Sequence, residues 1–133
     1  MSAENVSRLI EATDSFNRGD LDAYLRLVHP DVRFEPVQAE LQGSYIGHEG
    51  VRSWFADLAE HYVAEGAHVQ YSEIRDLEDS VLAIGTLHFT GRSSGLTTDV
   101  PVALMVSFRD GLIIRLKDYG DKGSALEAAG LPD

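Results

Sequence analysis

The strongest constraint on how this chain can fold is a run of four strand patterns in residues 68–119. The segments HVQYSEI and SVLAIGTLHFTG are separated by the acidic turn DLED, and the segments TDVPVALMVSF and GLIIRLKDY by RDG. Apolar and β-branched residues between turn residues are typical of strands, and a turn as short as RDG joins two strands into a hairpin. The second half of the chain is therefore predicted to form a four-stranded meander.

Helical patterns occupy the first half of the chain. Apolar residues recur at helical spacing in residues 4–17, 21–29 and 47–66. We expect the second helix to end near Pro30, because a residue that precedes proline avoids helical backbone. The segment HPDVRFEPV at residues 29–37 then predicts one early strand.

This order of patterns predicts a single α+β domain that spans residues 1–133. The helices come first and must bury their apolar faces, so we expect them to cover one face of a curved antiparallel sheet. A loop is expected over residues 38–47, which are rich in turn residues.

The composition excludes several classes of function. The net charge of −11 argues against binding to nucleic acid or to an anionic membrane surface. The absence of cysteine removes disulfides, thiolate nucleophiles and cysteine-bound zinc. The five histidines show no metal-binding spacing, and GSYIGHEG lacks the Lys-Ser/Thr pair of a phosphate-binding loop, so no metal or cofactor is expected. MSAENVSRL lacks the pattern of a secretory signal, which favours a cytoplasmic location.

The early strand carries two adjacent charges on one face. Arg33 and Glu35 alternate with Val32 and Phe34, so the charged pair lies on one side of the strand and the apolar pair on the other. If the charged side faces the core, it would form part of a polar pocket. If it faces water, the strand is an ordinary amphipathic one.

A second carboxylate follows the last predicted strand. Asp118 shares its predicted face with Leu112, Ile114 and Leu116. A carboxylate on that face lies either at the solvated end of the strand or inside a cavity, where burial would favour its neutral form. The strand pattern leaves both interpretations open.

Three segments resemble one family of known proteins. FNRGDLDAYLRLVHPDVRFEPV, GHEGVRSWFADL and RDGLIIRLKDYGD are similar, in this order, to the nuclear transport factor 2-like superfamily. Within it the likeness is to SnoaL-like polyketide cyclases, ketosteroid isomerases and limonene-epoxide hydrolases, and it spans residues 4–121. The resemblance implies a cone-shaped fold, in which a curved sheet wraps helices around a deep apolar pocket, and a homodimer formed through the outer sheet face.

The resemblance also implies a catalytic site. Glu35 falls where the isomerases carry a proton-abstracting aspartate, and Asp118 where the epoxide hydrolases and cyclases carry a catalytic aspartate. Arg33 falls where the epoxide hydrolases carry a tyrosine that helps to hold water. All three residues would therefore share one cavity. Its candidate apolar lining is Phe16, Trp54, Phe55, Leu58, Tyr62, Leu87, Leu104 and Leu116.

Other catalytic positions of these families carry different residues here. The two groups with which the isomerases stabilise an enolate correspond to Ala12 and Leu104, and a third tyrosine to Phe55. The arginine and partner aspartate of the epoxide hydrolases correspond to about Gly85 and Leu87. No single family's catalytic set is complete in this sequence.

Three hypotheses on function follow. The first is an isomerase, cyclase or epoxide hydrolase that acts on an apolar small molecule, with Glu35 or Asp118 as general base. The second is a non-catalytic module that binds a hydrophobic metabolite, with Arg33 and Glu35 as a structural ion pair. The third is an assembly domain that acts through its dimer face.

Overall fold

A computed structural model describes residues 2–36, 43–61 and 67–132, with only the backbone described at Ser2 and His61. Within these ranges the chain forms helices α1 (Ser2–Asn17), α2 (Leu21–Leu27), α3 (Gly47–His61) and α4 (Lys122–Ala129). It also forms strands β1 (Val28–Glu35), β2 (Tyr45–Ile46), β3 (His68–Asp76), β4 (Ser80–Thr90), β5 (Thr97–Arg109) and β6 (Leu112–Asp118). None of the described helices combines the length and the apolar character that a membrane crossing requires.

The strands form one curved, unclosed sheet in the order β2-β1-β6-β5-β4-β3. Each of the strands β3 to β6 pairs antiparallel with the next, which confirms the predicted meander. β1 pairs parallel with β6, so the sheet is mixed. The early strand β1 thereby lies beside β6, the last strand of the meander.

Two local features differ from the predicted boundaries. α2 ends at Leu27, because Val28 already has extended backbone (φ −111°, ψ 143°), and β1 therefore begins before Pro30. β2 lies within the stretch predicted as a loop and pairs with Arg33 and Phe34 of β1. A strand of two residues is too short to produce an alternating pattern in the sequence.

The sheet buries residues on both faces. Its inner face packs on the helices before β3, in a core that includes Leu9, Val32 and Val106. On the outer face, Leu82 of β4 and Ala103 of β5 are covered by Ala125 and Leu126 of α4. The cone-shaped α+β fold predicted from the sequence is confirmed.

A register shift between β5 and β6 changes which side chains face the core. The shift lies between Ser107 and Phe108, which pair with Arg115 and Ile113. Ile113 is fully buried, whereas Ile114 is only half-buried. The simple alternation that placed Ile114 beside Asp118 therefore fails at this position, although Leu116 and Asp118 do share the inner face.

Candidate functional site

A cavity of about 720 Å³ lies between the inner face of the sheet and the first three helices. This volume lies within the range of small-molecule sites in proteins. Its walls are mainly apolar and aromatic, and exposed Asp57 and Pro101 among the lining residues mark its opening. The cavity can therefore hold an organic molecule.

Aromatic rings form one continuous wall of this cavity. Phe16 stacks on Trp54 with ring centroids 5.1 Å apart, Trp54 contacts Phe34 at 4.6 Å, and Phe34 stacks on Tyr45 at 6.0 Å. The Tyr45 hydroxyl donates a hydrogen bond of 2.9 Å to the carboxylate of Asp57 at the opening. The row of rings thus runs from the opening into the interior, and such rings hold one another in fixed orientations.

Most of the predicted lining residues lie in this wall or opposite it. Six of the eight line the cavity: Phe16, Trp54, Leu58, Leu87, Leu104 and Leu116. Phe55 is not among the lining residues and instead packs against the rings of Phe16, Tyr24 and Trp54. Tyr62 lies outside the described residues.

Asp118 faces the cavity beside Leu104, which it opposes across β5 and β6. The backbone N–H groups of Ala103 and Gly120 donate to its Oδ1 atom at 3.2 and 2.9 Å. Burial raises the pKa of this carboxyl, and these two hydrogen bonds oppose the rise only in part. Among the described residues no donor bonds to Oδ2, so that oxygen is available to a ligand.

Besides Tyr45, three residues with hydroxyl groups line the same cavity. Thr13 donates to the carbonyl oxygen of Leu9 at 2.9 Å, so the 2.9 Å bond between Thr13 and Tyr71 must be donated by Tyr71. Burial and the nearby charge of Asp118 raise the pKa of Tyr71 to about 12. The Tyr71 phenol is therefore protonated at neutral pH and lies within electrostatic range of the Asp118 carboxylate.

Tyr24 provides the third hydroxyl and differs from the other two. Its side chain is only 5% exposed and lines the cavity, yet its hydroxyl makes no hydrogen bond to any described residue. Burial, together with the neighbouring Tyr71, raises the pKa of this phenol well above its ordinary value. A protonated and unpartnered donor thus faces the interior of an apolar cavity.

The structure corrects the expected position of Arg33 and Glu35. Phe34 opposes Leu116 and lies on the inner face with it, so the residues on either side of Phe34 point away from the cavity. Arg33 is exposed, and Glu35 accepts a hydrogen bond from Arg115 on the outer face. This bond, followed by the charges around it, lowers the pKa of Glu35. The two carboxylates do not share one cavity.

The described part of the chain contains no cluster of side chains suited to bind a metal ion. No three His, Asp or Glu side chains of residues 2–36, 43–61 and 67–132 lie close enough together to hold an ion.

The sequence interpretation missed the hydroxyl groups at this site. Thr13 and Tyr24 stand at the helical spacing of the apolar residues around them, and Tyr71 lies within a strand pattern. A phenol in an apolar stripe has the same spacing as a core residue, and only its hydroxyl distinguishes it. A search for inward-facing residues that carry a donor could have identified Tyr24.

Comparison with known proteins places this fold in one family. The SnoaL-like domain profile matches residues 6–116, which is most of the chain. No curated protein matches the sequence significantly.

Solved structures from three bacteria are similar over nearly the whole chain. An NTF2-like protein of unknown function from Burkholderia pseudomallei is 20% identical with a TM-score of 0.77, covering 93% of this chain and 95% of that one. A SnoaL-like protein from Jannaschia sp. CCS1, provisionally named a polyketide cyclase, is 19% identical with a TM-score of 0.76, covering 99% and 95%. A protein from Xanthomonas campestris with the same provisional name is 23% identical with a TM-score of 0.74, covering 90% and 92%. At these identities the likeness extends to the fold alone.

Proposed function

This chain belongs to the SnoaL-like domain family, and on that basis we propose that it is an enzyme whose cavity holds a small apolar molecule while Asp118 acts as general base. One observation carries the proposal: a carboxylate faces an apolar cavity that also contains a phenol, and no described residue bonds to one oxygen of that carboxylate or to the phenol. The provisional polyketide cyclase names of two structural neighbours support an organic substrate of this kind.

The position of Asp118 suits proton abstraction. Its Oδ1 atom is held by two backbone donors, which leave Oδ2 to accept a proton from the substrate. Because burial raises its pKa, the carboxylate is a stronger base than an aspartate in water. Proton transfer from a carbon next to a carbonyl group would leave the electron pair on the carbonyl oxygen as an enolate.

Tyr24 can donate a hydrogen bond to the oxygen of such an enolate. A donor aimed at a developing oxyanion in a dry site stabilises the transition state more than the ground state. The family positions for this role carry Ala12 and Leu104 here, and neither side chain can donate a hydrogen bond. The unpartnered phenol of Tyr24, which reaches the cavity from α2, takes over this role in our proposal.

A non-catalytic binding module is the second candidate, and one observation favours it. The two backbone hydrogen bonds to Asp118 tie the end of β6 to β5 and to the turn at Gly120, which is a structural task in itself. If that were the only role of Asp118, the cavity would bind a metabolite without changing it.

Hydrogen exchange separates the two candidates without knowledge of the natural product. The protein is incubated in D2O with aryl-substituted cyclic enones and polyketide-like β-diketones, and deuterium entry at carbon is followed by NMR. We expect catalysed exchange with the wild type, and a loss of about a hundredfold or more in Asp118→Asn. Glu35→Gln is the matched control and keeps the wild-type rate, since Glu35 pairs with Arg115 outside the cavity.

Two outcomes would contradict an enzymatic role for Asp118. In one, Asp118→Asn exchanges as fast as the wild type. In the other, the substrates bind to the cavity without any protein-dependent exchange, which would favour the binding module.

A further inference from the structure

The charges around the cavity are of one sign. Asp118 lies inside and Asp57 at the opening, and no Lys or Arg belongs to the described lining. Among the described side chains and backbone groups, Asp57 bonds only to the neutral hydroxyl of Tyr45, and Asp118 only to backbone N–H groups. Neither carboxylate is therefore neutralised by a cation within the cavity.

The rest of the sequence cannot supply a compensating Lys or Arg. Residues 37–42 and 62–66, which lie outside the described part, contain neither type, and both segments contain a glutamate. His61 is the one imidazole whose side chain is not described. Every Lys and Arg of the chain is therefore at a described position, and none lines the cavity.

The nearest strands direct their cations to the opposite face. Arg33 is exposed, Arg115 pairs with Glu35, and the ammonium group of Lys117 lies 5.1 Å from the ring centroid of Tyr119. These three residues alternate with Phe34, Leu116 and Asp118, which face the cavity. Successive side chains of a strand point to opposite faces of the sheet. The alternation that directs Asp118 into the cavity therefore directs these positive charges away from the cavity.

We propose that this cavity accepts uncharged or positively charged organic molecules and excludes organic anions; the proposal rests on the function proposed above. A carboxylate ligand would pass the exposed carboxylate of Asp57 at the opening, lose its hydration shell on entry and meet the carboxylate of Asp118 in a medium less polar than water. A protonated amine would lose its hydration shell as well, but would gain attraction from the same two groups. The unpartnered Tyr24 hydroxyl offers a neutral polar contact that does not require an anion.

Three matched probes test this inference: phenylbutylamine, phenylbutanol and phenylbutyrate. They share an aromatic ring and a chain, and differ in the charge of the terminal group. The chain has one tryptophan, Trp54, and it lines the cavity, so its fluorescence reports occupancy directly. At neutral pH and low salt we expect the amine to bind at least about tenfold more tightly than the carboxylate. The alcohol should also bind more tightly than the carboxylate.

Variants assign the preference to the cavity. Asp57→Asn keeps an acceptor for Tyr45 and removes the charge, so the ratio of amine to carboxylate affinity should fall severalfold. Glu60→Gln, at an exposed position of α3 that does not line the cavity, should leave that ratio unchanged. The inference is overturned if phenylbutyrate binds as tightly as the amine, if Asp57→Asn leaves the ratio intact, or if none of the probes binds. Deuterium exchange on neutral substrates is measured separately, so a failure of charge selection and a failure of Asp118 as base remain distinguishable.

Discussion

The hydroxyl of Tyr24 gains its chemical importance from what surrounds it. A phenol in water donates to solvent in any conformation, but this one is 95% buried and has no partner among the described residues. Desolvation keeps it protonated, and the rings of Trp54 and Phe55 hold its orientation at centroid distances of 5.9 and 5.2 Å. A fixed and unpaired donor of this kind costs no reorganisation when a substrate oxygen becomes negative.

Tyr24→Phe is the substitution that tests this role. We expect the rate of catalysed exchange at saturating substrate to fall about a hundredfold to a thousandfold, with a smaller effect on KM, because the bond strengthens only in the transition state. The folded state should be at least as stable as before, since the lost hydroxyl leaves no partner unsatisfied.

Tyr45→Phe provides the comparison for that experiment. Its hydroxyl bonds to Asp57 at the opening of the cavity, and its loss should change the exchange rate little. Equal effects of the two substitutions on the rate would argue against a specific role for Tyr24.

At the scale of elements, a glycine in β4 allows β3 to place Tyr71 at the cavity. Gly85 pairs with Tyr71, next to a register shift between Tyr71 and Glu73. A Cβ atom at Gly85 would lie 2.0 Å from the carbonyl oxygen of Gln70 and 2.8 Å from the Cα atom of Tyr71. The two backbones approach so closely only because no side chain stands between them.

Gly85→Ala should therefore destabilise the protein. The clashing atoms belong to the backbone and cannot rotate away, so we expect the free energy of unfolding to fall by about 1–3 kcal/mol or more. Gly123→Ala makes the same chemical change in α4, where the nearest atom is 3.4 Å away, and should be neutral or slightly stabilising. Urea unfolding of both variants measures the difference. Equal stabilities would mean that β3 can move away from β4 at no cost.

At the scale of the whole molecule, carboxylates of two kinds determine how stability depends on pH. Hydrogen bonds from Arg115 to Glu35, from Lys122 to Glu73 and from Ser124 to Asp121 lower the pKa of these three carboxyls. Each of them contributes stability above its unfolded-state pKa and loses it as the pH falls through the folded-state value. Asp118 has the opposite sign, because its raised pKa destabilises the folded protein once the group is ionised.

Stability should therefore fall as the pH is lowered from about 7 to about 3, and Asp118→Asn should be more stable than the wild type at neutral pH. An asparagine Oδ1 can still accept from Ala103 and Gly120, so the substitution removes the desolvated charge and keeps the bonds. The advantage of the variant should shrink as the pH falls through the raised folded-state pKa of Asp118 and should vanish below the unfolded-state value of about 4. Thermal melting of both proteins across this range measures the effect. A less stable variant at neutral pH would mean that the backbone donors require a charged acceptor.

Homodimerisation through the outer sheet face stays a prediction from the resemblance. α4 covers Leu82 and Ala103 there, and the neighbouring part of that face carries Arg33, Arg115 and Lys117. A second copy would therefore have to contact a largely charged surface.

By itself, the sequence determined the order of the first three helices and the early strand, the four-stranded meander, the family and the choice of Asp118 as a candidate site residue. Each of these depends on short-range spacing, or on the order of segments, which can be read without coordinates. The tertiary structure decided which face of β1 meets the cavity, and so separated Glu35 from Asp118. It also decided where the register shifts fall and that the Tyr24 hydroxyl, to which no described residue bonds, opens to the cavity. The physical reason is that alternation divides a strand into two faces without naming the inner one, whereas pairing with β6 and packing on the helices choose between them.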